Sequence, residues 1–402
     1  MDKLSTPEKV SGTAPSLPSP VSRRAFLAGV AACAAIHPAF LHAAFNGLVE
    51  QAILHLATRS AHNGYVHTFA LTSSSCELLG STAIDSFAAF AAHPVLQVLY
   101  VARDCSQWEG LPRGVIETYA VECSTYPLRL LAQTPMALSA TGPRSLAIAP
   151  CGRYLLVSAS AGGAWNAFAL NGDGRPVSVA IARKETGAML NSHTVSLPTP
   201  HGVAFSPRGL FAVGTDPGSG RMALLQPSPA EIAVLTRWET TYGLTASSPV
   251  WTIDNKYVIV ATERRASLAV YAMGAALEVR SNSSVRLLGT TPTHTPVTTL
   301  LAHPREAAVF TSRPQASGSR LEFWKVHHSH LRLSSDTWIA GHVVALAYRA
   351  GGLWIASQDR LVRLPIDDLR SPYPLEVPLP MHGAHALVTQ RIVAGHLDNA
   401  QS

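Results

Sequence analysis

The chain is poor in charged residues and in cysteine, and these shortages exclude several classes of protein. Only 14% of its 402 residues are charged, and no lysine- and arginine-rich block interleaved with aromatic residues follows the first 45, so nucleic-acid binding has little support. The five cysteines show no spacing typical of a zinc or redox motif. Neither G-x-S-x-G nor H-E-x-x-H occurs, so neither a covalent serine mechanism nor a zincin is supported.

Apolar residues and turn formers, by contrast, are abundant. The chain is 47% apolar and holds 28 glycines and 28 prolines, a composition that indicates an all-β protein with a large core. A module that supplies four strands, here termed A to D, recurs along it. Its complete copies begin near Ser86, Arg144, His201, Pro249, Val297 and Val343. A four-stranded unit of this length cannot bury both faces alone, so the copies must stack on one another.

The two ends of the chain account for one further copy. Three strands, AILHLAT, GYVHTFAL and CELLGST, precede the first complete module and lack an inner strand. One apolar strand, GAHALVT from Gly383, is left over near the C-terminus. We expect it to pair with the N-terminal strands and to close a seven-bladed β-propeller, which removes the open sheet edge. Such closure favours a monomer.

The first 44 residues predict an export signal, and residues 45–402 the propeller. The stretch Ser22-Arg23-Arg24-Ala25-Phe26-Leu27 precedes an alanine-rich apolar run that extends to about residue 45, and it resembles a twin-arginine leader. His37-Pro38 and His42 interrupt the run, which is unfavourable for a stable membrane span. We therefore expect a periplasmic or otherwise exported protein that keeps no membrane span after processing.

Propeller geometry sorts the polar residues between two faces. Residues that begin a strand A or end a strand B gather on one face around the central channel, whereas A–B turns lie on the opposite face. His93 and His303 fall in such turns and are predicted to be structural. The residues predicted for the channel face include His201, Asp104, Asp216, Glu263, Arg313 and His385. A concave channel mouth with converging polar groups is the default candidate site.

Several segments carry a resemblance to a known family. TRSAHNGYVHTFAL, HPVLQVLYVARD, GPRSLAIAPCGRYLLVSASAGG and TPHGVAFSPRGLFAVGTD are similar to segments of the lactonase family of seven-bladed propellers, which includes the propeller type of 6-phosphogluconolactonase. The Thr-Pro-His before a strand A, with Asp216 at the end of the next strand, is more specific than the periodicity. The resemblance implies hydrolysis of a sugar-type or other small lactone. We expect no cofactor.

The resemblance also implies roles for three residues. Pro200-His201, Thr262-Glu263 and Ser312-Arg313 match the family's pattern. Glu263 or His201 would take a proton from the attacking water, and Arg313 would stabilise the oxyanion or hold an anionic group of the substrate. The net charge of +6 favours an anionic substrate weakly. Further contacts with the substrate are expected from Asp104, Asp216 and His385.

Two departures from the family keep other functions open. Ser248-Pro249-Val250-Trp251 stands where the family has Gly-Pro-Arg-His, and the loop from Asp216 to Gly220 lacks the family's second aspartate. These losses favour a non-catalytic propeller that binds a ligand or a protein. A calcium-dependent lactonase is a third possibility, because Asp104, Asp216, Glu263 and Asp359 could supply oxygen ligands. Our expectation, however, is a site without metal.

Overall fold

The computed structural model contains only β-strands as regular elements in the part of the chain that it describes. The described residues are 50–59, 64–72, 75–122, 127–177, 180–185, 188–191, 194–240, 243–244, 248–262, 266–273, 285–349, 351–366, 369, 374–379 and 384–393. The predicted leader, residues 1–44, lies outside them, and so does Glu263. No helix within these ranges is long and apolar enough to cross a membrane.

The described residues contain thirty strands. The first eleven are β1 (Glu50–Arg59), β2 (Gly64–Leu71), β3 (Cys76–Ile84), β4 (Phe87–Ala92), β5 (Val98–Arg103), β6 (Val115–Val121), β7 (Leu128–Pro135), β8 (Pro143–Ile148), β9 (Tyr154–Ala159), β10 (Ala164–Ala169) and β11 (Ile181–Lys184). The next ten are β12 (Ala188–Asn191), β13 (Thr194–Ser196), β14 (Val203–Phe205), β15 (Ala212–Asp216), β16 (Arg221–Pro227), β17 (Ile232–Glu239), β18 (Val250–Trp251), β19 (Tyr257–Thr262), β20 (Ser267–Ala272) and β21 (Arg286–Pro292). The last nine are β22 (Thr299–Ala302), β23 (Ala308–Gln315), β24 (Gly318–His327), β25 (His330–Ala340), β26 (Val343–Arg349), β27 (Gly352–Ser357), β28 (Arg360–Pro365), β29 (Leu375–Pro378) and β30 (Ala384–Val393).

These strands form seven four-stranded antiparallel sheets, which confirms the seven-bladed propeller. Blade I is ordered β30-β1-β2-β3, and blades II to VII are β4–β7, β8–β11, β14–β17, β18–β21, β22–β25 and β26–β29. Each inner strand contacts the inner strand of the next blade, and β26 contacts β30, so the ring is closed. A two-stranded hairpin, β12–β13, lies between blades III and IV and was not predicted.

The C-terminal strand β30 closes the ring, as predicted from the apolar segment that begins at Gly383. Strand β30 pairs with β1 from Glu50↔Val393 to Thr58↔Ala384. Gln390 of β30 also ties blade I to blade II, because its side-chain amide donates to the carbonyl oxygen of Leu96 at 2.7 Å. The two ends of the described chain are therefore held in one sheet, next to the turn of the following blade.

Burial explains why the second strand of each blade is so apolar. Strands β5 and β15 are buried along nearly their whole length, because neighbouring blades cover both faces of the sheet. The outermost strand β25 instead is exposed or half-buried at all but two positions, Leu331 and Ile339, since its blade ends there. Continuous apolar runs in the sequence thus correspond to the second strands of the blades.

Histidines fix two of the turns on the face opposite the candidate site. His93 Nδ1 accepts the backbone N–H groups of Val95 and Leu96 at 3.1 and 2.8 Å, and its Nε2 lies 3.1 Å from the carbonyl oxygen of Gly152 in the next blade. His303 likewise accepts two backbone N–H groups of its own turn. Both rings are buried, so the structure agrees with the structural role predicted for them.

Candidate functional site

His201 lies two residues before strand β14, at the end of blade IV where its strand A begins. Its backbone N–H donates to the carbonyl oxygen of Thr215 at 2.8 Å, and its own carbonyl oxygen accepts the hydroxyl of Ser158 at 2.5 Å. Burial, and then the charge of Arg144, lower the pKa of the His201 imidazole below its ordinary value. The ring is therefore neutral at pH 7, with one nitrogen able to accept a proton.

Arg144 is a functional candidate that sequence reasoning did not select. It begins strand A of blade III, so the rule that chose His201 could also have found it. Its Nε donates to the hydroxyl of Ser160 at 3.1 Å, and its Nη1 lies 3.6 Å from Oδ2 of Asp104. The side chain keeps 42% of its surface exposed, which leaves part of the guanidinium open to a ligand. Arg144 is thus a partly exposed cation whose charge acts on the His201 imidazole.

Asp104 is brought into the same group through that ion pair. It follows strand β5 directly, and its backbone N–H donates to the carbonyl oxygen of Ser86 at 2.6 Å. Its carboxylate is the acidic partner of Arg144. Asp104 can therefore orient the guanidinium of Arg144. Its described side-chain contact is with Arg144, so any effect of Asp104 on a substrate would act through that arginine.

Asp216 holds backbone around His201. It is buried, and its Oδ1 accepts the N–H groups of Thr199 at 2.7 Å and Ser219 at 3.2 Å. Thr199 lies two residues before His201, and its hydroxyl accepts the N–H of Gly218 at 2.8 Å. The described contacts of Asp216 are thus with the loops next to His201, so this carboxylate stabilises the backbone that positions the histidine.

Gly202 leaves no room for a side chain beside His201. A Cβ at this position would lie 2.6 Å from Cα of Ser248, 2.8 Å from Oγ1 of Thr215 and 2.9 Å from Cδ of Pro249. The first of these is backbone, which cannot move aside cheaply. Close approach of blades IV and V therefore requires glycine here, and this contact fixes the backbone next to the imidazole.

Arg313 is engaged by its own blade. Its Nε and Nη2 both donate to Oε1 of Glu322, the former at 2.9 Å, and its Nη1 donates to the carbonyl oxygen of Thr293 and to the hydroxyl of Thr295. These bonds use four of the five guanidinium N–H groups: the one on Nε, one on Nη2 and both on Nη1. Arg313 and Glu322 are both buried. The described contacts leave one N–H group on Nη2 without an acceptor.

The same arrangement recurs in blade II. Arg103 lies at the end of strand B of its blade, and its Nη1 donates to Oε1 of the buried Glu117 at 3.1 Å, as Arg313 near the end of β23 donates to Glu322. Tyr119 donates its hydroxyl to Glu117 at 2.7 Å. In blade VI the indole N–H of Trp324 lies at 3.2 Å from the equivalent glutamate. This recurrence shows a blade-stabilising role for the arginine–glutamate pair.

His385 joins the channel face from blade I. It is the second residue of β30, its ring packs edge-on against Phe87 at 6.0 Å between centroids, and its side chain is exposed. Phe87 and other neighbours still desolvate part of the ring, and this desolvation, followed by the charge of Arg59, lowers the pKa of His385. No described contact joins it to His201, so the structure places it on the same face without bringing it into the group around Arg144.

The described residues contain no group of three or more histidine, cysteine, aspartate or glutamate side chains that could hold a metal ion. That search leaves out Glu263, which directly follows Thr262 at the end of β19. Asp359 pairs with Arg360 at 3.1 Å rather than with another acid. The oxygen ligands considered for calcium are therefore not gathered in the described part of the chain.

Several solved structures share the fold at low sequence identity. A periplasmic gluconolactonase from Pseudomonas aeruginosa is 15% identical, with a TM-score of 0.65, and the alignment covers 86% of this chain and 100% of that one. A proposed 6-phosphogluconolactonase from Bacteroides uniformis is 15% identical, with a TM-score of 0.67, and the alignment covers 85% of this chain and 99% of that one. Another from Bacteroides fragilis is 12% identical, with a TM-score of 0.65, and the alignment covers 85% of this chain and 98% of that one. No curated protein sequence matches the chain.

The family assignment rests on the sequence match. The family described as "Lactonase, 7-bladed beta-propeller" matches residues 53–314, more than half of the 402-residue chain. That range includes blades II to V in full, together with Arg144, His201 and Arg313. The chain belongs to the lactonase family of seven-bladed β-propellers.

Proposed function

We propose that the chain hydrolyses a small lactone at the mouth of its central channel. The observation that carries this proposal is the neutral imidazole of His201 beside the partly open guanidinium of Arg144. A neutral imidazole can take a proton from water, and a guanidinium can stabilise the charge that develops on a carbonyl oxygen. Deprotonation of the attacking water and stabilisation of the oxyanion are the two tasks of catalysis in lactone hydrolysis.

The proposed reaction has two steps. His201 accepts a proton from a water molecule as its oxygen attacks the lactone carbonyl, and Arg144 donates to the resulting oxyanion. The ring C–O bond then breaks, the carbonyl forms again, and the protonated His201 returns the proton to the departing alkoxide. The product is an open-chain hydroxy acid, whose carboxyl group ionises into solution. Asp104 keeps the guanidinium oriented throughout.

Glu263 and Arg313 also belong to this proposal. The family pattern assigns Glu263 as a second candidate base, and Arg313 as a group that holds an anion on the substrate. Arg313 has one N–H group that its described contacts do not use, so any contact with substrate is a single hydrogen bond. Variants of both residues therefore accompany those of His201 and Arg144 in the test.

The proposal is tested with purified protein on sugar lactones, phosphogluconolactone and simple aliphatic lactones, with and without EDTA. We expect His201→Asn to lower kcat/KM by roughly 10²- to 10⁴-fold, and Arg144→Gln by roughly 10²- to 10³-fold. Arg129→Gln is the matched control, because this arginine lies on the outer strand β7 with its side chain 62% exposed. Full activity in both site variants would refute the assignment, and activity lost in EDTA would support a metal site instead.

The pH dependence of the reaction provides a second test. Since the pKa of His201 lies below its ordinary value, the imidazole loses its neutral form at a lower pH than an ordinary histidine does. We expect the fall of kcat/KM in acidic solution to be centred below pH 6.5. A fall centred at or above pH 6.5 would contradict the role of this histidine as base.

A binding propeller without catalysis is the second candidate function. It is favoured by Arg313 and Asp216, whose described contacts are made within the protein rather than towards the channel. Under this alternative, the lactones or their hydroxy acids bind at the channel mouth, and no lactone in the panel is hydrolysed. Calorimetric titration with Arg144→Gln as control separates binding at the proposed site from binding elsewhere.

We also propose that residues 1–44 direct export through the twin-arginine pathway and that the mature protein is a monomer. The motif around Arg23 and Arg24 carries the first proposal, and the periplasmic location of the Pseudomonas relative is compatible with it. Replacing both arginines with lysine should leave unprocessed protein in the cytoplasm, whereas unchanged export would refute the assignment. Light scattering measures the molar mass of the mature protein in solution, and a mass of two or more chains would refute the monomer.

A further inference from the structure

Three uncharged loops lead across the channel face towards Arg144 and His201. They are residues 136–142, 160–163 and 197–200, which read MALSATG, SAGG and LPTP. The first precedes the strand that Arg144 begins, and the last directly precedes His201. Leu138 and Leu197, within the first and last loops, are 59% and 78% exposed. Two large apolar side chains are therefore exposed to solvent in the loops that lead to Arg144 and His201.

The three loops form one continuous surface. A Cβ on Gly162 would lie 1.9 Å from the carbonyl oxygen of Ser139, and one on Gly163 would lie 3.2 Å from Cγ of Pro198. The glycine pair is thus packed against the loop of Leu138 on one side and the loop of Leu197 on the other. We call Leu138, Gly162, Gly163, Leu197 and Pro198 the apolar shelf.

The shelf continues into the proposed site. Ser160, two residues before Gly162, accepts the hydrogen bond from Nε of Arg144 at 3.1 Å. On the other side, Thr199 follows Pro198 and is held by Asp216, the residue that supports the loop of His201. A molecule with its carbonyl group at Arg144 would therefore have the shelf beside it.

The chemistry of the shelf suits an alkyl chain better than a hydroxylated ring. None of its five residues carries a polar side-chain group, and no charged residue occurs in the three loops. Sugar hydroxyls laid on such a surface would lose hydrogen bonds to water without replacement, whereas an alkyl chain would gain from leaving water.

We infer that the substrate of this site is a lactone with an aliphatic side chain, and that Leu138 and Leu197 bind that chain on the apolar shelf. This inference rests on the proposed lactone hydrolysis, and it names the class of lactone. It sets the chain apart from an enzyme for sugar lactones, whose substituents are hydroxyl groups.

The test uses δ-lactones that differ only in their side chain: δ-valerolactone, δ-hexalactone, δ-octalactone and δ-decalactone, with glucono-δ-lactone for comparison. We expect kcat/KM to rise by about two- to fourfold for each methylene that reaches the shelf. Leu138→Gln and Leu197→Gln should flatten this rise and leave kcat/KM for δ-valerolactone unchanged. Leu333→Gln on strand β25, where the leucine is 39% exposed, is the matched control and should behave like the unmodified protein.

The outcomes separate the two proposals. Hydrolysis of δ-valerolactone without any gain from longer chains would overturn the inference and leave the proposed function standing. An equal rise in the unmodified protein and in both shelf variants would also overturn it, since the chain would then bind elsewhere. No hydrolysis of any lactone would overturn the proposed function, and the inference with it.

Discussion

The buried histidine in the closing sheet should make the stability of the propeller depend on pH. His55 lies on β1 with no exposed surface. Its Nδ1 is 3.1 Å from the hydroxyl of Thr68, and its Nε2 is 3.3 Å from Oε1 of Gln390 on the C-terminal strand. The imidazole therefore sits at the junction that holds the two ends of the described chain together. Its protonation would place a charge inside that junction.

The size of the effect follows from the pKa. Burial lowers the pKa of His55 from 6.5 to about 4, although the hydrogen bond to Gln390 acts in the opposite direction. The unfolded chain, whose histidine has its ordinary pKa, then binds the proton more readily than the folded chain. Stability is thus complete above pH 6.5 and falls as the pH decreases towards 4. The full difference is about 3 kcal/mol, of which about 2 kcal/mol is lost between pH 7 and pH 5.

The assay is urea unfolding of the unmodified protein and of His55→Gln at pH 7 and pH 5, followed by tryptophan fluorescence. Glutamine does not titrate and keeps groups able to bond to both neighbours. We expect the unmodified protein to lose about 2 kcal/mol more than the variant between these pH values. His67 and His93, whose pKa values burial also lowers, are present in both proteins and cancel. His327→Gln, at an exposed histidine, is the control.

Equal losses of unfolding free energy in the two proteins would refute the reasoning, because His55 would then titrate alike in the folded and unfolded states. A loss confined to His327→Gln would refute it as well. The midpoint of the pH dependence adds a check. The difference between the unmodified protein and His55→Gln should begin near pH 6.5 and stop growing below about pH 4.

Three further substitutions test the packing that supports the site. Gly202→Ala should lower lactone turnover at least about tenfold, because the new Cβ meets backbone of the next blade, whereas Gly172→Ala, in open space, should leave turnover unchanged; equal activity in both would contradict this account. Asp216→Ala should cost about 1–3 kcal/mol in urea unfolding, since two buried N–H groups lose their acceptor. Glu322→Gln should cost about 3–5 kcal/mol by leaving Arg313 without its counter-charge, and unchanged stability would show that the pair is not buried as described.

Burial accounts for the parts of the fold that the sequence predicted. The second strand of a blade is covered on both faces by neighbouring blades, so it appears in the sequence as an unbroken apolar run, such as VLYVAR in β5. The missing inner strand of blade I could be inferred for the same reason, because an uncovered sheet edge must be paired. The hairpin β12–β13 has no such constraint, since it belongs to no blade, and its pattern was not separable from a loop.

Side-chain partners were harder to predict than strands. The sequence shows that Arg313 ends a strand B, but not that Glu322 on the next strand faces it, because that contact depends on the register of β23 and β24. Likewise, the sequence places Asp216 at the end of a strand B but does not show that its Oδ1 accepts backbone N–H groups of neighbouring loops. Position on the propeller face was predictable from topology, and the direction of each polar group was not.

The internal repeat supplies a criterion that topology alone does not. A polar residue that recurs at the same blade position with the same partner serves the blade, because each blade faces the same packing problem. Arg103 and Arg313 meet this description through their glutamates, and the turn histidines meet it through their backbone bonds. Near the start of a strand A, His201 and His385 each have a pKa that a nearby arginine lowers, but of these two arginines only Arg144 forms an ion pair in the described contacts. A group that the repeat does not require needs another explanation, and binding or catalysis at the channel mouth provides one.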